Sequence, residues 1–515
     1  MPRRLTIYIL GIDVGTSGTR ALIVDQDGRV VASATEEHAP FASPQIGWAE
    51  QHPEDWWAAS AAAIPKALER AGLIGDDIAC VGFSGQMHGA VMLEDSGQVV
   101  RPALIWCDVR TDAQCRTLTK KIGAERIIQL TCNPALTNFT ITKLLWVREN
   151  EPENWKRVRS VMLPKDYVRF RLTGERATDM ADASGTLMLD VANRRWSDDM
   201  LDATEINRCL LPALYESPDI CGKVSPAAAS ATGLKAGTPV VAGAGDQAAG
   251  AVGMGIVTPG AVSATIGSSG VVFAATDAPS LDRQGRLHTF CHAIPGRWHV
   301  MGVTQAAGLS LRWFRDQFGG CARGLTAGGP IKDAPDPYPY EKLTEEAANA
   351  PAGCNGLLWT PYLMGDRTPH LDPEARGALV GLTASHRRAD VIRAILEGVA
   401  FSLRETFSIF GEMNVPVKSV RLGGGGAKSP LWRQIQADVY GHEVEIVEAE
   451  EGAAYGAALL AGVGAGMWPN VDTACASVVR VSERVKPRAD AVATLNRNYA
   501  AYQRVYKATC EIFDP

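Results

Sequence analysis

LTIYILGIDVGTSGTRALIVDQDGRVVASAT, residues 5–35, decides the fold. Its apolar, β-rich runs at 5–12, 19–25 and 29–35 are separated by short turns containing Gly and Asp, which predicts an antiparallel meander. IACVGFSG (78–85) supplies a further strand, and the Ala-rich stretch from Trp56 to Ala71 reads as the helix before it. A longer section, roughly 105–235, is more helical and carries most of the mixed charge. Strands alternating with helices place the chain in the α/β class.

Near residue 240 the pattern starts again. PVVAGAG (239–245) reads as a buried strand, and AVSATIGSSGVVFAAT (261–276) repeats the order strand, Gly-Ser turn, strand. GTSGT (15–19) and GSSGV (267–271) correspond in position and chemistry, so an internal duplication is the economical explanation. We therefore expect two domains, 1–250 and 251–515, joined by short hinges at about 245–260 and facing a common cleft.

Composition agrees and excludes other classes. A chain of 515 residues is too long for one compact core. Its 46% hydrophobic and 21% charged content is ordinary globular usage. A net charge of −6 with no basic tract offers no footprint for nucleic acid or an anionic membrane. A polyanionic substrate must then be held locally, by backbone amides and a metal. The 11 cysteines are irregularly spaced, without a Cys-x-x-Cys pair, and suit buried thiols in a cytoplasmic protein. The opening MPRRLTIYIL reaches Asp13 too soon for a signal peptide and reads as the first buried strand.

No G-x-x-x-x-G-K-[ST] loop occurs, and no G-x-G-x-x-G follows a strand. Four other elements have nucleotide chemistry. In the first, Gly15, Thr16, Ser17 and Thr19 form a turn whose amides and hydroxyls can point at phosphate, with Asp13 placed to hold Mg²⁺. An ordinary Gly-rich β-turn has the same pattern. Gly267, Ser268 and Ser269 form the second element. GGGGAKS (423–429) is the third: Gly424, Gly425, Gly426 and Ala427 let a backbone approach adenine or phosphate, and Ser429 opens a helix. Asp246 is the fourth, in GAGDQ (243–247); it suits a general base and also the N-cap of the following helix, readings that do not exclude each other. Met87, His88, Trp106 and Asp108 sit at neighbouring strand ends, where they suit either a polyol pocket or the core.

Together these residues resemble the FGGY family of carbohydrate kinases, over Gly11 to about Gly464. WAEQHPEDWW (48–57), TITKLLWVREN (140–150) and GALVGLTASHRRADVIRAILEG (377–398) are similar to family signatures. SGQMHGAV (84–91), LPKDYVRFRLTGE (163–175), TDMADASGTLMLDV (178–191) and GDQAAGAVGMG (245–255) resemble its xylulokinase branch.

The resemblance implies two ribonuclease-H-like domains of the actin and hexokinase type around a central cleft. It implies ATP and Mg²⁺ as cofactors and D-xylulose as the acceptor, phosphorylated at O5. Asp246 would be the base, Met87 and His88 sugar contacts, and Asp13 would position Mg²⁺ and phosphate. Gly424 to Ala427 would line the adenosine site. A homodimer is common in the family. Gln247 stands where xylulokinases often have Asn, which leaves room for another ketopentose, a pentitol or another polyol. Asp366, in PYLMGDRTP (361–369), stands where the family usually has Glu and has no assigned role. A non-catalytic sugar sensor and an actin-like ATPase are the alternatives from another class.

Overall fold

The computed structural model describes residues 7–318, 339–448 and 452–513. Two compact units partition the chain. One takes the described residues of 1–258, 275–299 and 451–480; the other takes those of 259–274, 300–450 and 481–515. They are not two contiguous halves, because segments beyond residue 258 return to the N-terminal unit.

The N-terminal unit is built on the sheet that the opening stretch predicts. Tyr8–Val14, Gly18–Asp25 and Val30–Glu37 form an antiparallel meander, with Asp13 opposite Arg20. Ile78–Gly85 joins the other side of the first strand in parallel. Beyond it come Pro239–Val241 and then the antiparallel edge strand Ile220–Lys223.

Helix Pro53–Ala71 packs on the meander. Pro53 pre-sets its first turn, and Gly72, in the left-handed region, ends it. Trp56, Ala59, Ser60, Ala63, Ile64, Ala67 and Leu68 form its buried stripe at helical spacing. The other face of the sheet is covered by Gly452–Gly464, whose backbone lies directly on two strands. A Cβ on Gly11 would come 2.1 Å from the Ala454 carbonyl oxygen, and one on Gly82 would come 2.0 Å from that of Ala457. The same helix crosses Asp246–Gly253 at a point that only glycine allows, since a Cβ on Gly456 would meet the Ala249 oxygen at 1.8 Å.

In the C-terminal unit the strand sequence recurs. Gly260–Ile266 and Gly270–Thr276 form an antiparallel hairpin, followed outward by Trp298–Thr304. Val417–Gly424 lies parallel on the far side of the first strand, then Val444–Val447, then the antiparallel edge Val481–Val485. Both sheets thus share the order hairpin, parallel strand, parallel strand, antiparallel edge, but in the second His288–Cys291 lies outside Trp298–Thr304, which follows it in the chain, so that side is not a sequential meander. The duplication read from two Gly-Ser turns extends across the hairpin and the three strands on its far side.

No helix among the described residues is long and apolar enough to cross a membrane.

Candidate active site

Three parallel strand ends come level in the N-terminal unit. Asp13 is opposite Ser84, and Ala244 and Gly245 pair with Ser84 and Gly85 from the other side. Asp13 and Asp246 therefore flank the end of Ile78–Gly85, at the carboxyl edge where open α/β sheets bind ligands. PVVAGAG does not form one strand: Gly243, at φ 78°, breaks it between Pro239–Val241 and Ala244–Gly245.

Asp246 is the first residue of helix Asp246–Gly253, whose N-cap is Gly245, and no side chain caps it. Capping therefore does not account for the carboxylate. Gln247 Nε2 donates to Asp246 Oδ1 at 3.2 Å. Burial, and after it the charge of Asp13, push the Asp246 carboxyl up to about 7. Burial also raises Asp13, against the opposing pull of Ser84 and Arg20. Asp13 Oδ1 is buried without a hydrogen-bond partner.

Below these carboxylates lies a charged cluster with no solvent access. Lys165 Nζ contacts Asp166 at 2.6 Å, Asp179 at 2.5 Å and Asp182 at 3.4 Å, and Arg169 pairs with Asp166 at 2.9 Å. Burial raises Asp182 well above the ordinary carboxylate range, with Asp179, Asp166 and Asp246 adding to it. Its Oδ1 lies 3.2 Å from where a Gly245 side chain would begin. This cluster links the base of the site to LPKDY and TDMAD, segments that the sequence reading assigned no chemistry of their own.

The first hairpin is held from beneath. Gln51 Nε2 donates to the Thr16 carbonyl at 2.7 Å, and Gln86 Nε2 to Gln51 Oε1 at 2.9 Å and to the Gly15 carbonyl at 3.3 Å. Trp106 Nε1 donates to Thr16 Oγ1 at 2.9 Å, and its indole is 40% exposed, which leaves a ring face at the surface. Ser17 is exposed, and Gly15 and Thr16 keep partial access. Thr19 differs from expectation. It faces inward on its strand, wholly buried, with its hydroxyl 2.8 Å from His38 Nε2.

Met87 packs beside Gly245, and His88 beside Gly185. His88 holds φ at 67°, a costly position for a non-glycine residue. The strain is held by Lys143 Nζ and Thr140 Oγ1, which donate to its carbonyl at 2.9 and 3.1 Å. Its ring lies 2.7 Å from the Gly185 carbonyl through Nδ1, so that nitrogen carries the proton. Phe139 packs edge-on against the ring at 5.2 Å.

Asp108 also departs from expectation. Both its oxygens are taken: Arg110 Nε donates to Oδ1 at 2.9 Å and Nη2 to Oδ2 at 2.6 Å, and the Ala49 N–H donates to Oδ2 at 2.7 Å. Arg110 in turn stacks over Trp48, 3.6 Å from the ring centre. Asp108 braces the loop that carries Trp106 and presents no oxygen to a ligand.

The C-terminal unit contains a cavity of about 590 Å³. Gly267, Ser268, Gly425, Gly426 and Ser429 are among its lining residues. Gly424 sits behind them at φ 71°, where a Cβ would come 2.5 Å from the Ile266 carbonyl oxygen. This close approach requires glycine at 424, and Gly426 is confined likewise, since a Cβ there would come 2.6 Å from Ile266 Cβ. Ser429 caps helix Pro430–Tyr440, accepting from the Trp432 N–H at 3.4 Å, so the helix opens onto the cavity. Ala427 and Ser269 are not in the wall. Leu311, Arg312, Tyr340, Thr344 and Lys428 also line it, and of these only Lys428 lies in a motif that the sequence marked.

The model for the FGGY family of carbohydrate kinases, N-terminal domain, matches residues 8–253, and that for the C-terminal domain matches 262–465. The chain is 38% identical over 505 residues to a xylulose kinase of Bacillus subtilis (strain 168), covering 98% of each. It is 40% identical over 457 residues to a xylulose kinase of Escherichia coli (strain K12), covering 88% of this chain and 90% of the other. A solved structure of a "xyloylose kinase" from Brucella ovis superposes with a TM-score of 0.89 at 33% identity, over 98% of this chain and 100% of that one. With both family domains matched in order and the two repeated sheets in place, the chain belongs to the FGGY family of carbohydrate kinases.

Proposed function

We propose that this carbohydrate kinase transfers the γ-phosphoryl group of ATP to O5 of D-xylulose, with Asp246 as general base. The observation that carries the reading is the level placement of Asp13 and Asp246 at the ends of adjoining strands, with the Asp246 carboxyl at about 7. A carboxylate so poised accepts a hydroxyl proton near neutral pH far better than an ordinary Asp. As the sugar oxygen bonds to the γ-phosphorus, its proton passes to Asp246 and ADP leaves. Met87 and His88 stand beside Gly245 and Gly185, where they would meet the sugar. Gln247, held to Asp246, orients the carboxylate. The cavity between Gly267 and Ser429 has the size and the glycine floor for adenosine.

Asp13 fits a magnesium ion, because its buried Oδ1 has no protein donor. Among the described residues no cluster of three or more His, Cys, Asp or Glu side chains could hold a metal. Asp13 would therefore share the ion with phosphate oxygens and water. Bound there, magnesium would supply neutralising charge on the phosphates.

The test is a coupled ADP-release assay over D-xylulose, other ketopentoses, pentitols, gluconate and glycerol. D-xylulose should give the highest kcat/KM. If it ranks well below another acceptor, the substrate assignment fails, and ADP release that needs no acceptor would indicate an ATPase.

A further inference from the structure

PYLMGDRTP (361–369) has no part in the reading above, yet it carries a guanidinium without a counter-ion. Arg367 makes no side-chain hydrogen bond and no ion pair among the described residues. It keeps partial access to solvent. Burial pushes it down to about 10, and the charge acting against that shift is Asp366. Burial, with Glu405 beside it, pushes Asp366 up to about 8, which weakens it as a counter-charge. Arg404, another guanidinium lowered by burial, differs in lying 4.2 Å over the Tyr499 ring. A desolvated cation without a partner is costly, and an anionic ligand would offset that cost.

The backbone places this residue at the nucleotide end of its sheet. Thr368 N–H donates to the Val303 carbonyl at 3.1 Å, and Val303 N–H to Thr368 Oγ1 at 3.1 Å. The segment therefore runs along the last residues of Trp298–Thr304. That strand neighbours Gly270–Thr276 and ends beside the hairpin turn, where a Cβ on Gly270 would come 2.7 Å from Thr304 Cγ2. Gly267 and Ser268 on that turn, and Gly425 and Gly426 across from it, line the 590 Å³ cavity.

We infer that Arg367 binds the phosphoryl groups of the nucleotide held in this cavity, its planar fork supplying a bidentate cation beside the hairpin amides. The inference rests on the ATP reading above. Arginine suits the role because it stays charged when desolvated and matches phosphate geometry.

The test is calorimetric titration of the full-length enzyme with adenylyl imidodiphosphate, adenosine and D-xylulose 5-phosphate. Arg367→Met should weaken the triphosphate analogue ~10–100-fold and leave adenosine within about twofold. Arg367→Lys keeps the charge but loses the fork and should fall between. Unfolding midpoints establish which variants are folded; if the Met variant is not, the Lys variant carries the comparison. Equal effects on the analogue and adenosine, or none, overturn the inference while leaving the nucleotide reading intact. A loss confined to D-xylulose 5-phosphate overturns it by moving the contact to the product. A wild type that binds neither analogue nor adenosine refutes both readings.

Discussion

Replacing Asp246 by Asn should stabilise the fold above pH 7 while removing most of the turnover. The folded carboxyl titrates at about 7 against an ordinary 3.8. Below pH 4 both folded and unfolded chains hold this proton, so it contributes nothing to stability. As pH rises from 4 to 7, the unfolded chain releases the proton while the folded one keeps it, and stability falls. Above 7 the penalty is complete. About three pH units at ~1.36 kcal/mol each set a ceiling of roughly 4 kcal/mol. Asp246 is only half-buried, so water relaxes part of this, and about 1–2 kcal/mol is the working figure. The amide is neutral throughout and can still accept from Gln247. Urea unfolding of both proteins at pH 4.5 and pH 8 measures the effect. The gap between the midpoints should be small at the lower pH, where the unfolded chain has begun to release the proton, and should widen in favour of the variant at the higher, while kcat drops ~10²–10⁴-fold. Coincident midpoints at both pH values refute the buried-carboxylate argument, and turnover within tenfold of wild type refutes the role as base.

Lys165→Met should cost about 3–5 kcal/mol in unfolding free energy, because it strands three buried carboxyls beside one remaining guanidinium. Adding Asp182→Asn should restore part of that loss, and strict additivity in the double-mutant cycle would show that the two do not interact. Gly424→Ala should cost about 1–3 kcal/mol and weaken nucleotide binding, since φ is 71° and the new methyl meets the Ile266 oxygen. Gly411→Ala, in a helix with open space around it, is the matched control and should be neutral or stabilising. Equal losses at the two glycines would contradict the steric account.

What the sequence revealed was what local pattern encodes. The Gly-Ser turns at 15–18 and 267–270 are short-range features, and each lies where its motif placed it between two strands. Asp246 was visible because the helix after it begins abruptly at a small-residue strand end. The misreadings have a common cause, namely the direction in which a side chain points. Thr19 lies one residue past Gly18, and strand alternation turns it inward. Asp108 is claimed by Arg110, two residues on, a pairing that no periodicity announces. Lys165, Asp179 and Asp182 carry no assigned role in the sequence reading, because only packing between separate segments shows that they are buried together. The cavity wall draws on helices Gly308–Phe318 and Tyr340–Ala347, which are far from the glycine turn in sequence and carry no motif.

The helix Gly452–Gly464 sets a schedule for biosynthesis. Its backbone rests on Gly11 and Gly82, so one face of the first sheet lacks this cover until the ribosome has passed residue 464. Roughly 200 residues separate Thr258 from the end of that helix. At about 5–20 residues per second, the sheet waits on the order of 10–40 s with an apolar face uncovered. The first unit to be translated is therefore among the last to be completed. An uncovered apolar face is aggregation-prone, so fragments ending near residue 258 should be recovered as aggregates rather than as a folded domain.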